Sequence, residues 1–140
     1  MELVDTNVVS ELMRPEPNRS VLAWSARNRR FYFSAISLEE VWFGLALRPG
    51  ARMARHFSAL LDTFAEILPI TDAIARRSAG LRAGQAQRGH VRSQADMLIA
   101  ATAYEHGAVL VTRNVRDFAG CGVRVHNPFK AWRVTGPSPP

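Results

Sequence analysis

The sequence predicts an α/β fold in three layers, with helices covering both faces of a short, mainly parallel central sheet. Three observations predict it. Short apolar runs alternate with longer stretches whose apolar residues recur at helical spacing. The run Val109-Leu110-Val111 is apolar at every position, as a strand covered on both faces must be. Cap and turn residues stand between the segments, so each strand is followed by a helix that can cross back over the sheet.

The elements follow in order. Leu3-Val4 is the first strand, and Thr6-Asn7 turns the chain into a short helix that stops before Pro15 and Pro17. Asn18 caps a helix carrying Val21, Leu22 and Trp24. Phe31-Tyr32-Phe33 is the second strand. Ser37 is the expected cap of the next helix, with Val41, Trp42 and Leu45 at helical spacing. Residues 52–64 read as an amphipathic helix. Ile67 to Ile70 is the expected third strand, and Pro69 confines it to an edge. Thr71 caps a long helix with Ile74, Ala75, Ser78 and Leu81 inward and Gly89 closing it. Ser93 caps a helix over 94–106, stopped by Gly107. The fourth strand is 109–111, and the fifth is expected at Val123 to Val125. No repeat or linker interrupts the pattern. Residues 1–133 are expected to form a single domain, and the proline-rich 134–140 a disordered tail.

The chain has 140 residues and a net charge of +6. Of its 18 basic residues only Lys130 is a lysine; the rest are arginine, whose fork binds phosphate with two parallel hydrogen bonds. A GC-rich coding sequence explains an arginine excess equally well. The positive balance still favours an anionic partner, nucleic acid or an acidic protein. The lone Cys121 suits a reducing cytoplasm. No run approaches the ~20 apolar residues that span a bilayer, and the opening residues lack a signal-peptide pattern, so no membrane role is expected.

Four acids carry the chemistry. Asp5 ends the first strand, Glu40 and Asp96 are expected in the first turns of helices, and Asp117 follows the fourth strand three residues past Asn114. In a parallel sheet all four come to the carboxyl edge, where such folds bind ligands. Each has a simpler explanation alone. Ser37 with Glu40 and Ser93 with Asp96 both fit a capping box, Asp5 with Asn7 fits a turn, and Asp117 fits a solvated loop. Together the four weaken those explanations. Asp96 heads the almost wholly apolar Met97-Leu98-Ile99-Ala100-Ala101, which draws it inward. Several carboxylates in one cleft need a proton or a cation to offset their repulsion. An oxygen-only set suits Mg²⁺ or Mn²⁺, and the four histidines show no ligand spacing. Such an ion keeps several waters, one of which serves as a nucleophile toward a phosphodiester.

These residues resemble a known family. Residues 3–10, Leu-Val-Asp-Thr-Asn-Val-Val-Ser, resemble the opening of PIN-domain toxins of the VapC and FitB type. Residues 34–41 followed by Gly44 resemble their second motif, whose acid matches Glu40. Ala95-Asp96 with 99–103 resembles the third, and Val111-Thr112-Arg113-Asn114 through Asp117-Phe118 the fourth. The likeness runs from Met1 to about Trp132. It implies a PIN fold, Mg²⁺ or Mn²⁺ dependence and RNA cleavage, with Asp5, Glu40 and Asp96 as the acidic core. Asp117 is the expected fourth acid, with Asn114 beside it and Thr6, Asn7 and Thr112 in support. Arg113 and Arg116 are candidate contacts to RNA phosphates. The resemblance also implies a homodimer, a small DNA-binding antitoxin, and a hetero-oligomer of the two on operator DNA. Trp24, Trp42, Phe43 and Phe57 are the candidate apolar anchors for a partner, unless they fill the chain's own core.

Two other functions stay open on sequence. An aspartyl-nucleophile phosphohydrolase places its nucleophile on a first strand, but its second carboxylate is missing where this chain has Asn7. A catalytically inactive module joining an antitoxin on DNA needs no metal chemistry.

Overall fold

β1 (Glu2–Val4), β2 (Phe31–Ser34), β3 (Ala65–Leu68), β4 (Val109–Val111) and β5 (Val125–His126) lie parallel in the order β3-β2-β1-β4-β5. This arrangement comes from a computed structural model that describes residues 1–130 and 134–137. In register, Leu3 stands opposite Tyr32 on one side and Leu110 on the other. Among the described residues, six helices connect or flank the strands: α1 (Thr6–Leu12), α2 (Arg19–Arg27), α3 (Ala35–Ala46), α4 (Arg52–Phe64), α5 (Asp72–Gln87) and α6 (Gln94–Glu105). The expected three layers with a mainly parallel sheet are present.

Side chains alternate along a strand, so the sheet divides the core in two. Leu3, Leu110 and Val125 face one cluster, filled by Met97, Ile99, Ala100 and Ala103 of α6. Val4, Phe33 and Val111 face the other, filled by Val8, Trp24, Val41 and Phe57 from α1, α2, α3 and α4. Phe33 and Phe57 meet edge to face at 6.3 Å, and Trp42 meets Phe57 at 5.3 Å. Trp24 and Phe57 are therefore core residues and offer nothing to a partner, whereas Trp42 and Phe43 reach solvent.

Several element bounds differ from expectation, each for a local reason. Ser34, not Ser37, caps α3: its backbone is extended and its hydroxyl accepts from the Ile36 amide at 3.3 Å. Ser37 lies inside the helix, buried. β3 begins and ends two residues earlier than expected, because pairing of Phe31 with Ala65 fixes its register and leaves Pro69 just beyond it. β5 sits at Val125–His126, held by the Thr112 amide donating to the His126 carbonyl at 2.9 Å. Ala75 is exposed on α5, while Ile74 and Ser78 are buried. Val134–Thr135, within the expected tail, form β6, which pairs antiparallel with β5; residues 138–140 of that tail lie outside the described residues. Among the described residues, no helix is long and apolar enough to cross a membrane.

The strand order reverses at β1. The chain moves from β1 to β2 and β3 on one side, then returns to β4 and β5 on the other. The crossovers diverge there and leave a crevice at the carboxyl ends of β1 and β4.

Candidate active site at the carboxyl edge of the sheet

Asp5 stands in that crevice. It is the first residue past β1 and the N-cap of α1, where its Oδ1 accepts from the Thr6 amide at 2.7 Å. The side chain is only 5% exposed. Its Oδ2 accepts from Asn7 Nδ2 at 3.0 Å and from the Thr112 hydroxyl at 2.7 Å. Thr112, fully buried just past β4, also accepts from Asn7 Nδ2 at 3.2 Å and from the Asn114 amide at 3.0 Å. Asn7 Oδ1 in turn accepts from the Arg113 amide at 3.1 Å. The loops after β1 and β4 are thus stitched together around one carboxylate. A buried carboxylate is tolerated only with such donors.

Glu40 approaches from α3. It sits in the second turn of that helix rather than the first, because α3 begins at Ala35. The Thr6 hydroxyl donates to its Oε1 at 3.2 Å and ties it to the Asp5 turn. Asp96 approaches from the first turn of α6, where the Ser93 hydroxyl accepts from its amide at 3.0 Å. Asp117 lies in a single 3-10 turn, Val115–Phe118, with its Oδ1 3.8 Å from Arg92 Nη1.

The acids sense one another. Burial raises the Asp5 carboxyl above its ordinary range; the Thr112 and Thr6 donors oppose the rise, and the charge on Asp96 adds to it. Partial burial at the crevice rim raises Glu40, with Thr6 opposing and the charges of Asp5, Asp96 and Glu39 adding. Burial also raises Asp96; Ser93 opposes, Asp117 adds, and Arg92 opposes. Four sequence-predicted acids therefore share one field. They are not gathered as a ligand cluster: among the described residues, no three acids, histidines or cysteines stand close enough to close on one ion as the side chains lie.

The donor set suits a hard divalent cation in chemistry. It is all oxygen, and burial first of all holds the Asp5, Glu40 and Asp96 carboxyls above their ordinary range. Asp5, Glu40 and Asp96 are the residues whose chemistry could serve such an ion, with Asp117 at the margin.

Arg113 and Arg116 are both exposed beside the site, and the Arg113 guanidinium lies 4.8 Å over the Phe129 ring. Arg92 is the site residue that sequence reading passed over. Its side chain is 17% exposed, its Nε is buried without a partner among the described residues, and its charge acts on Asp96. The one sequence cue was its place directly before the Ser93 cap.

Comparison with known proteins gives the family of the fold. The family model described as PIN domain matches residues 3–120. The chain belongs to the PIN-domain family. Among curated relatives of this PIN domain is VapC ribonuclease Y4jK from Sinorhizobium fredii, 36% identical over 138 residues, covering 93% of this chain and 99% of the relative. Toxin FitB from Neisseria gonorrhoeae is 36% identical over 137 residues, covering 92% and 99%. Among solved structures, FitAB bound to an IR36 DNA fragment superposes with a TM-score of 0.81 at 34% identity, covering 94% of this PIN domain and 97% of that chain.

Proposed function

We propose that this chain is the toxin of a toxin–antitoxin pair, a cytoplasmic endoribonuclease that hydrolyses RNA phosphodiester bonds with Mg²⁺ or Mn²⁺. The observation that carries the reading is Asp5, buried at the sheet's switch point and held by three donors from two loops, in the field of Asp96. Structural acids are not normally buried this way without a cationic partner. The relative named a ribonuclease supports the activity, and the relative solved on DNA supports an antitoxin partner and an operator complex. Phe43 and Leu47, 61% and 71% exposed on and just past α3, supply apolar anchors for that partner or for a second copy in a homodimer.

Asp5, Glu40 and Asp96 would hold the ion, with Asp117 as a fourth carboxylate. Bound there, a divalent ion supplies a nucleophilic water at neutral pH and offsets charge on the phosphate oxygens. The chain's own residues do the rest. Thr112 and Asn7 fix the Asp5 carboxylate in one orientation, so it meets a ligand without reorganising. Thr6 couples the Glu40 carboxylate to the same turn. Arg113 and Arg116 stand ready for the phosphates that flank the scissile bond.

Asn7 also speaks against the phosphohydrolase reading. Its amide donates to Asp5 and Thr112 and accepts from Arg113, so it is fully committed to holding the loop. The test is cleavage of a single-stranded RNA by the purified protein. Cleavage is expected to need Mg²⁺ or Mn²⁺ and to stop with EDTA. Asp5→Asn keeps a competent cap and is expected to remain folded while losing at least about a hundredfold in rate. An Asp5→Asn protein as active as the parent would sink the reading, as would cleavage indifferent to EDTA.

A further inference from the structure

A groove of about 1280 Å³ runs away from the acids between α1, α3 and α4. Thr6, Asn7 and Glu40 line one end, so it opens directly onto the candidate site. Arg14, Arg48 and Arg52 line the rest, with Met13, Val41 and Leu45 beneath them. Arg48 and Arg52 are exposed and form no ion pair with a described residue. Arg14 is different: its Nη1 pairs with Glu11 at 3.2 Å. Glu11 is buried there and its carboxyl lies below its ordinary range, because the Asn18 amide donates to it and Arg14 adds to the effect. Of the two acids that line the groove, Glu40 stands at the candidate site and Glu11 is neutralised from within, so two unpaired positive charges remain above an apolar floor along the rest.

Resting on the ribonuclease reading, we infer that this groove carries one single strand of the RNA substrate away from the cleavage site, with its phosphates on Arg48 and Arg52. The volume exceeds the ~300–1,000 Å³ typical of small-ligand pockets, so an extended polymer fits better. A trough walled by helices admits a strand whose bases are splayed, whereas duplex RNA is read across a wide, shallow face. Charge complementarity chooses RNA over a neutral or basic peptide tail, since the unpaired charged groups beyond the Glu40 end of the groove are cationic. Of the groove's lining side chains only His56 has a ring on which a base can stack. The groove therefore gives affinity with little base preference.

The test measures binding without turnover. An Asp5→Asn protein is titrated into a fluorescein-labelled single-stranded RNA oligonucleotide, with fluorescence anisotropy read at several salt concentrations. Adding Arg48→Glu and Arg52→Glu is expected to weaken binding about tenfold or more. It should also make the log–log salt slope shallower by about 1.4, two contacts at about 0.7 each for single strands. Arg82→Glu, on an exposed position of α5 outside the groove, should change neither. In the otherwise wild-type protein, Arg48→Glu with Arg52→Glu should raise KM and leave kcat unchanged. Unchanged affinity and slope would overturn the inference and leave the groove to a partner's peptide. Equal weakening by Arg82→Glu would overturn it as nonspecific attraction, and equal affinity for the matching duplex would overturn the single-strand assignment. Strand binding that follows the two arginines in a protein that never cuts RNA would keep the groove and remove the ribonuclease. Cutting with an unchanged KM would do the reverse.

Discussion

At the scale of single residues the most informative side chain is Thr112. It is fully buried, donates to Asp5 and accepts from Asn7 and the Asn114 amide. Thr112→Val keeps the shape and removes all three bonds. Asp5 then loses a donor, and two N–H groups lose an acceptor. The expected cost is about 1–3 kcal/mol in urea unfolding and about 10–100-fold in cleavage rate, the usual effect of removing a group that orients a ligand. Thr112→Ser should retain most of both. A valine variant matching the parent in stability and rate would show that Asp5 orients itself. The residue scale is also where the sequence was most legible and most opaque. A threonine directly after a buried strand, on the edge that collects ligands, marks itself by position. Arg92 is marked only by its place before the Ser93 cap: it is a loop arginine in an arginine-rich chain, and although Asp96 is four residues away, only folding brings it to Asp117.

At the scale of elements, the start of α3 decides where Glu40 stands. Ser34 and Ser37 are one helical turn apart and both precede helical spacing, so composition favours neither. The sheet settles it, because β2 stays paired through Ser34 with Leu68 and its extended backbone is already the geometry a cap needs. Starting at Ala35 moves Glu40 out of the first turn and removes the capping explanation for that acid. Ser34→Ala is expected to cost about 1 kcal/mol. Ser37→Ala is expected to be neutral or slightly stabilising, since the buried Ser37 hydroxyl has no partner among the described residues. Thermal unfolding of the two variants checks this, and the opposite ranking would restore Ser37 as the cap. The strands at β3 and β5 slipped from expectation for the same reason: a short run shows which residues are apolar, while register comes from the neighbouring strand. The long helices had strong spacing and ends, and α6 begins after the expected Ser93 cap.

At the scale of the whole molecule, the shared field of the acids links stability to pH and to metal. Asp5, Glu40 and Asp96 all lie above their ordinary carboxyl range when folded. A group whose folded pKa is raised holds its proton more tightly folded than unfolded. Its contribution to stability is therefore present below the unfolded value and is lost as pH rises through the folded one. Without divalent ions, Tm should fall with pH across the upper carboxylate range, and the fall should be smaller in Asp96→Asn. Asp5 carries the greatest weight because it is the one carboxylate of the three that is buried. Adding Mn²⁺ at a hundred times its dissociation constant should return about 2.7 kcal/mol by mass action, or about 8 °C in Tm for a chain of this size. With the Mn²⁺ concentration then held fixed, the gain should grow with pH, because the ion and the protons compete for the same oxygens. Differential scanning fluorimetry at stepped pH, with and without Mn²⁺, reads all of this without requiring turnover. A gain independent of pH, or one that survives intact in the combined Asp5→Asn, Glu40→Gln and Asp96→Asn protein, would place the ion elsewhere and leave the three acids as separate helix-end groups.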